Sequence, residues 1–122
     1  MIENAIAIGF ICWIFFFHTM ADFVFQTRWM AENKSSSLKA LLIHILEYTG
    51  VMFVGLIILI GFRNAFLYAI LNGLLHFITD FFTSKINSYA YKNNKMKLFW
   101  SMIGFDQFIH ICSLLFTLLI LT

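Results

Sequence analysis

The chain has 122 residues, of which 61% are hydrophobic and only 11% charged, with no Pro, 16 Phe and a formal net charge of +2; its mean hydropathy is +0.88. A soluble domain of this size has too little interior to hide so much apolar surface, which excludes an ordinary soluble fold. The small positive charge is explained by where Lys and Arg fall along the chain and gives no case for a nucleic-acid partner.

Four apolar runs follow one another, Ala5 to Phe25, Ala40 to Gly61, Ala65 to Ile86 and Leu98 to Leu121, each near the ~20 residues that cross a ~30 Å hydrocarbon core. They lack the period-2 alternation of a membrane barrel. The prediction is an all-α polytopic membrane protein, a four-transmembrane-helix bundle with helices at about 5–26, 39–62, 65–86 and 98–121, forming a single integral membrane domain over residues 1–122. The first run is expected to be retained rather than cleaved, because Glu3 precedes it, no Lys or Arg does, and it is too long for the apolar part of a signal peptide.

In the first connection, 27–38, Trp29 and Met30 sit between Arg28 and Glu32, followed by Asn33, Lys34 and three Ser. This composition suits the headgroup level, with Ser35 to Ser37 as caps for the next helix. Gly61 to Asn64 is a short turn, and the third connection, 87–97, is polar with Tyr89, Tyr91 and several Lys. Seven of the eight basic residues lie in or beside the first and third connections, and only Arg63 lies at the other turn. That bias predicts loops 27–38 and 87–97 on the cytoplasmic side of a bacterial cytoplasmic membrane and both termini outside. Cys12 and Cys112 are isolated within the first and fourth runs and read as buried small hydrophobes.

The chemistry lies inside the runs. Asp22, Glu47, Asp80 and Asp106 fall there, as do all four His residues, His18, His44, His76 and His110, so each helix receives one His and one acid. Within each pair the spacing is four residues, or three for His44 and Glu47, which sets both groups on one helical face. Counted at ~1.5 Å per residue, all eight lie in one layer near the cytoplasmic ends. An acid at mid-membrane costs about 2.5–3.5 kcal/mol, so such groups normally turn into the bundle and find partners. A set of His and carboxylates suits one or two divalent ions, Zn, Mn or Fe. On that reading His18, Asp22, His76, Asp80, Asp106 and His110 are metal ligands, with Glu47 or His44 as general base. Gln26, Tyr48, Asn72, Ser84 and Gln107 extend the same stripes as hydrogen-bonding support, and Lys34 is a substrate-binding group.

Taken together, His18-x3-Asp22-Phe23-x2-Gln26, Trp29-Met30-Ala31, Asn33-Lys34, His44-x3-Tyr48, Asn72-x3-His76-x3-Asp80 and Asp106-Gln107-x2-His110 resemble a family of small bacterial and phage membrane proteins classed as a domain of unknown function. The likeness spans almost the whole chain and implies a four-helix membrane protein with a shared polar layer, without an activity. A looser likeness is to membrane-bound metal-dependent hydrolases, whose helices also carry His and Asp four apart; that is analogy.

Three functions fit these residues. A metal-dependent hydrolase of a phosphoester or lipid headgroup needs an open position at the metal and a cavity facing the cytoplasmic leaflet. A proton or divalent-cation transport component needs polar continuity across the bilayer, which the outer halves of the second and fourth helices lack unless a homo-oligomer supplies it. A non-catalytic membrane regulator needs its polar groups satisfied by protein, with Gly50 and Gly55 as close-contact positions. The lipid bilayer is the common partner.

Overall fold

The computed structural model describes residues 1–121, and every regular element among them is a helix. In chain order these are α1 (Ile2–Thr19), a π-helical turn (Met20–Phe25) that continues it, α2 (Arg28–Asn33), α3 (Leu38–Lys92) and α4 (Met96–Leu121). Three stretches, Ile2–Phe25, Leu38–Lys92 and Met96–Leu121, are long and apolar enough to cross a membrane.

α3 counts 55 residues, which as a straight rod would reach ~80 Å. It doubles back at Gly61, whose φ of 76° and ψ of 166° belong to a region open essentially to Gly alone. The fold-back is evident from His44 and His76, whose ring nitrogens lie 3.1 Å apart across a sequence separation of 32. The arms 38–60 and 62–92 thus pack side by side, and the turn expected over Gly61 to Asn64 contracts to one residue.

The second arm outlasts its apolar run and stays helical to Lys92, whereas the sequence suggested a connection from residue 87. Its last turns are polar because they continue the face of Asp80, so their composition resembled that of a loop. Only 93–95 separate it from α4, and Asn94 takes a φ of 54° there, a left-handed conformation that Asn tolerates. Between α1 and α3 the chain is not a simple loop either. Thr27 caps α2 by accepting from the Met30 backbone N–H, Met30 is buried beneath it, and Ser37 caps α3 by accepting from Ala40 N–H.

One end of the molecule is packed by apolar side chains, with Ile14, Met52, Leu56, Ala65 and Leu114 buried together. Two hydrogen bonds tie the helices there: Trp13 Nε1 donates to the Gly55 carbonyl at 2.7 Å, and the Tyr68 hydroxyl to the Leu114 carbonyl at 2.9 Å. Gly73 lies so close to Thr49 that any Cβ would collide with it, and Gly55 meets Phe17 in the same way, while Gly50 faces nothing. The outward surface is apolar, as at Ile58 (87% exposed) and Leu119 (77%). Cys12 and Cys112 also face outward rather than into the core, as free thiols on separate helices.

Candidate metal centre

At the opposite end from the apolar core, four elements direct His and carboxylate groups inward. The π-helical turn delivers Asp22, the first arm of α3 His44, the second arm His76 and Asp80, and α4 Asp106 and His110. A π turn is a common local device at functional sites. Here it begins two residues after His18, so Asp22 is carried by a differently wound segment from the His four residues before it.

His44, Asp22, His76 and Asp80 form one tight group. His44 Nε2 lies 3.1 Å from His76 Nε2, 3.2 Å from Asp22 Oδ1 and 3.5 Å from Asp80 Oδ2. His76 Nε2 lies 3.4 Å from Asp22 Oδ1 and 3.5 Å from Asp80 Oδ2. A tetrahedral site with bonds of ~2.0–2.1 Å has edges of about 3.3–3.4 Å. Five edges of the group, 3.1–3.5 Å, bracket that length. Hydrogen bonding explains the cluster less well, because the two Nε2 atoms carry at most one proton each and cannot satisfy five contacts.

His44 Nδ1 and His76 Nδ1 are both buried without a hydrogen-bond partner. When Nε2 binds a cation, Nδ1 carries the proton. His44 Nδ1 then faces Glu47 Oε2 at 3.6 Å, a long form of the carboxylate–His support common behind metal ligands. His76 is held between two rings, stacked on His110 at 4.0 Å and against Tyr48 at 4.0 Å.

A second group, Asp22, Asp106 and His110, adjoins the first and shares Asp22 with it. Asp80 also reaches both sides: its Oδ2 is in the first group, and its Oδ1 lies 3.2 Å from His110 Nε2. His110 Nε2 is 3.3 Å from Asp106 Oδ2, and Thr83 donates to Asp106 Oδ1 at 2.5 Å. Sequence reasoning passed over Thr83, although it lies three residues beyond Asp80 and so shares its face.

His18 stands outside both groups. Gln107 Nε2 donates to Asp22 Oδ2 at 2.7 Å and to Asp106 Oδ2 at 3.2 Å, so its Oε1 must be the atom facing His18 Nε2 at 3.0 Å. His18 Nε2 therefore donates, and in the neutral ring Nδ1 accepts from the Tyr48 hydroxyl at 3.1 Å. Both His18 nitrogens are committed to Gln107 and Tyr48. Asn72 lies one turn from His76 but bonds away from the centre, to the Tyr68 carbonyl and Thr117.

Lys34 closes the centre from the end of α2, its Nζ 2.7 Å from Asp80 Oδ2. Burial alone would push its ammonium toward the neutral form, but Asp80 and Asp22 outweigh burial and hold it above its ordinary range. Beside the two groups opens a cavity of about 530 Å³, lined among others by Asp22, Gln26, Lys34, Ser84, Asp106 and Gln107.

These positions lie within the residues 10–122 matched by one family model, "Protein of unknown function (DUF3307)". The chain belongs to that family. No curated protein and no solved structure matches this DUF3307 member, so its chemistry rests on its own buried His and Asp groups, which lie close enough together to bind a metal.

Proposed function

We propose that this DUF3307 protein crosses the membrane four times and is a metal-dependent hydrolase of a phosphoester or lipid headgroup, working near the cytoplasmic leaflet. The two arms of α3 supply the second and third crossings, and the basic residues in and beside 27–38 and 87–97 supply the orientation. The observation that carries the catalytic reading is the near-tetrahedral set of His44 Nε2, His76 Nε2, Asp22 Oδ1 and Asp80 Oδ2 beside a cavity. Two imidazoles and two carboxylates at these spacings favour Zn among Zn, Mn and Fe.

At the centre itself Asp22, Asp80 and Asp106 bring three carboxylates together and Lys34 pairs with one of them, Asp80, which leaves two negative charges for a divalent ion to balance. Such an ion activates water and offsets charge on phosphoryl oxygens. The chain's own groups do the remainder. Gln107 holds Asp22 and Asp106 in register, and Lys34 offers its ammonium to the substrate phosphate. Asp106, on the cavity wall, takes the proton from an attacking water when one ion is bound, or joins Asp22 and His110 around a second. Glu47 lies behind His44 and steadies its Nδ1 proton rather than meeting the substrate.

Transport is disfavoured by the apolar packing of Ile14, Met52, Leu56 and Leu114 beyond the centre. A purely structural role is disfavoured by the five close contacts of His44 Nε2 and His76 Nε2, which two ring protons cannot satisfy. The test is release of phosphate, free headgroup alcohol or phosphorylated headgroup from a panel of phosphomonoesters and phospholipids by the Zn- or Mn-loaded chain in detergent. Release that disappears in His44→Ala and in Asp80→Asn supports the reading; a metal-loaded, folded chain with no release from any phosphoester contradicts it.

A further inference from the structure

The cavity has a wall that the chemistry at its floor does not use. Along the second arm of α3 it is lined by Ser84, Asn87, Ser88 and Tyr91, whose spacing sets them on one helical face. Gln26, four residues beyond Asp22, also lines it. In that wall Gln26 Oε1, Ser84 Oγ and Asn87 Oδ1 are buried, and none has a hydrogen-bond partner. Buried polar atoms left unpaired are uncommon and unfavourable. Three beside one cavity of about 530 Å³ mark a surface shaped for a ligand.

Their chemistry narrows what that ligand is. Gln26 Nε2 donates to the Asp22 carbonyl at 2.8 Å, which fixes Oε1 as an acceptor. With Asn87 Oδ1 and the Ser84 hydroxyl, the wall calls for hydrogen-bond donors, either hydroxyl or ammonium groups. Lys34 and Lys92 line the same cavity together with Asp22, Glu32 and Asp106. Glu32 is paired with Arg28. With a divalent ion on the floor carboxylates, as the hydrolase reading has it, the positive charge of the two Lys disfavours an ammonium. The same two cations favour a phosphate. The seven steps from Asp80 to Asn87 span ~10 Å of helix, so a phosphate at the floor leaves room for hydroxyl groups along the wall.

We propose that the cavity binds a phosphorylated polyol of the glycerol phosphate type. Its phosphate lies toward Lys34 and Asp106, and its hydroxyls donate to Gln26, Ser84 and Asn87. The inference rests on the hydrolase reading and adds the substrate class to it. The polyol phosphate comes either from a lipid headgroup or from a soluble molecule.

The test uses the full chain loaded with Zn or Mn. Affinities for glycerol 3-phosphate, phosphoethanolamine and inorganic phosphate are measured by calorimetry in detergent, and those for phosphatidylglycerol and phosphatidylethanolamine by native mass spectrometry from nanodiscs. The polyol form is expected to bind ~10-fold tighter than the ethanolamine form, and the soluble polyol ~10-fold tighter than inorganic phosphate if that is the source. Ser84→Ala and Asn87→Leu are expected to erase the preference while bound metal and affinity for inorganic phosphate stay unchanged. A preference confined to the lipid pair identifies the headgroup as source, and one present with glycerol 3-phosphate identifies a soluble molecule. Equal affinities within both sets, a preference for the ethanolamine forms, or variants that keep the polyol preference overturn the inference and leave the hydrolase reading standing. A metal-loaded chain that binds none of these probes overturns both.

Discussion

Gln107 shows how one neutral side chain fixes the state of several ionisable ones. Its amide donates to two carboxylates, so its carbonyl oxygen sets the proton of His18 on Nε2, and the neutral ring then accepts a hydrogen bond from the Tyr48 hydroxyl at Nδ1. Replacing it by Leu leaves Asp22 and Asp106 without that donor and His18 with an unused N–H. Gln107→Leu is expected to weaken metal affinity by roughly 10–100-fold, the usual effect of losing a group that orients ligands; competition with a metal-sensitive dye measures it. His18→Ala acts through Gln107 and Tyr48 rather than at the ion itself and is expected to weaken binding less than His76→Ala in the same titration. The sequence makes plain that His and acid share a face on every helix, since a spacing of three or four requires it. It does not separate His18 from His44. Both precede an acid by one turn, and they differ only in what the neighbouring helices present: Tyr48 and Gln107 to the first, His76 and Asp22 to the second.

Among the elements, the hairpin of α3 matters most, because it brings His44 against His76. Its reversal depends on Gly61 at φ 76°. Gly61→Ala puts a Cβ into a backbone conformation that costs about 1–3 kcal/mol, so unfolding in mixed micelles is expected to shift by that amount, while Gly50→Ala, in open surroundings, shifts it little. The apolar run lengths made the two arms legible, and the lone Gly between them marked the turn. The helical continuation from 87 to 92 was not legible, because residues lining a polar cavity have the composition of a loop. The π turn at Met20–Phe25 carries no sequence mark of its own; it forms among residues that would equally continue an α-helix.

At the scale of the molecule, an apolar outer surface encloses a polar centre at one end of the bundle and apolar packing at the other. Four crossings require Gly61 and the turn at 93–95 to lie on opposite sides of the membrane. In a chain with Cys12→Ala and Cys112→Ala, single thiols introduced as Asn64→Cys and Asn94→Cys are expected to react with a membrane-impermeant maleimide from opposite faces of sealed vesicles. Labelling of both from the same face would contradict the four-crossing arrangement.

The central claim is that His44, His76, Asp22 and Asp80 hold a divalent ion, and the most direct test is elemental mass spectrometry of the chain purified without chelator. One or two equivalents of Zn, Mn or Fe are predicted in the wild type, lost in His76→Ala and Asp80→Asn while Ser84→Ala retains them. A folded wild-type chain that takes up none of these metals even after reloading would contradict the claim.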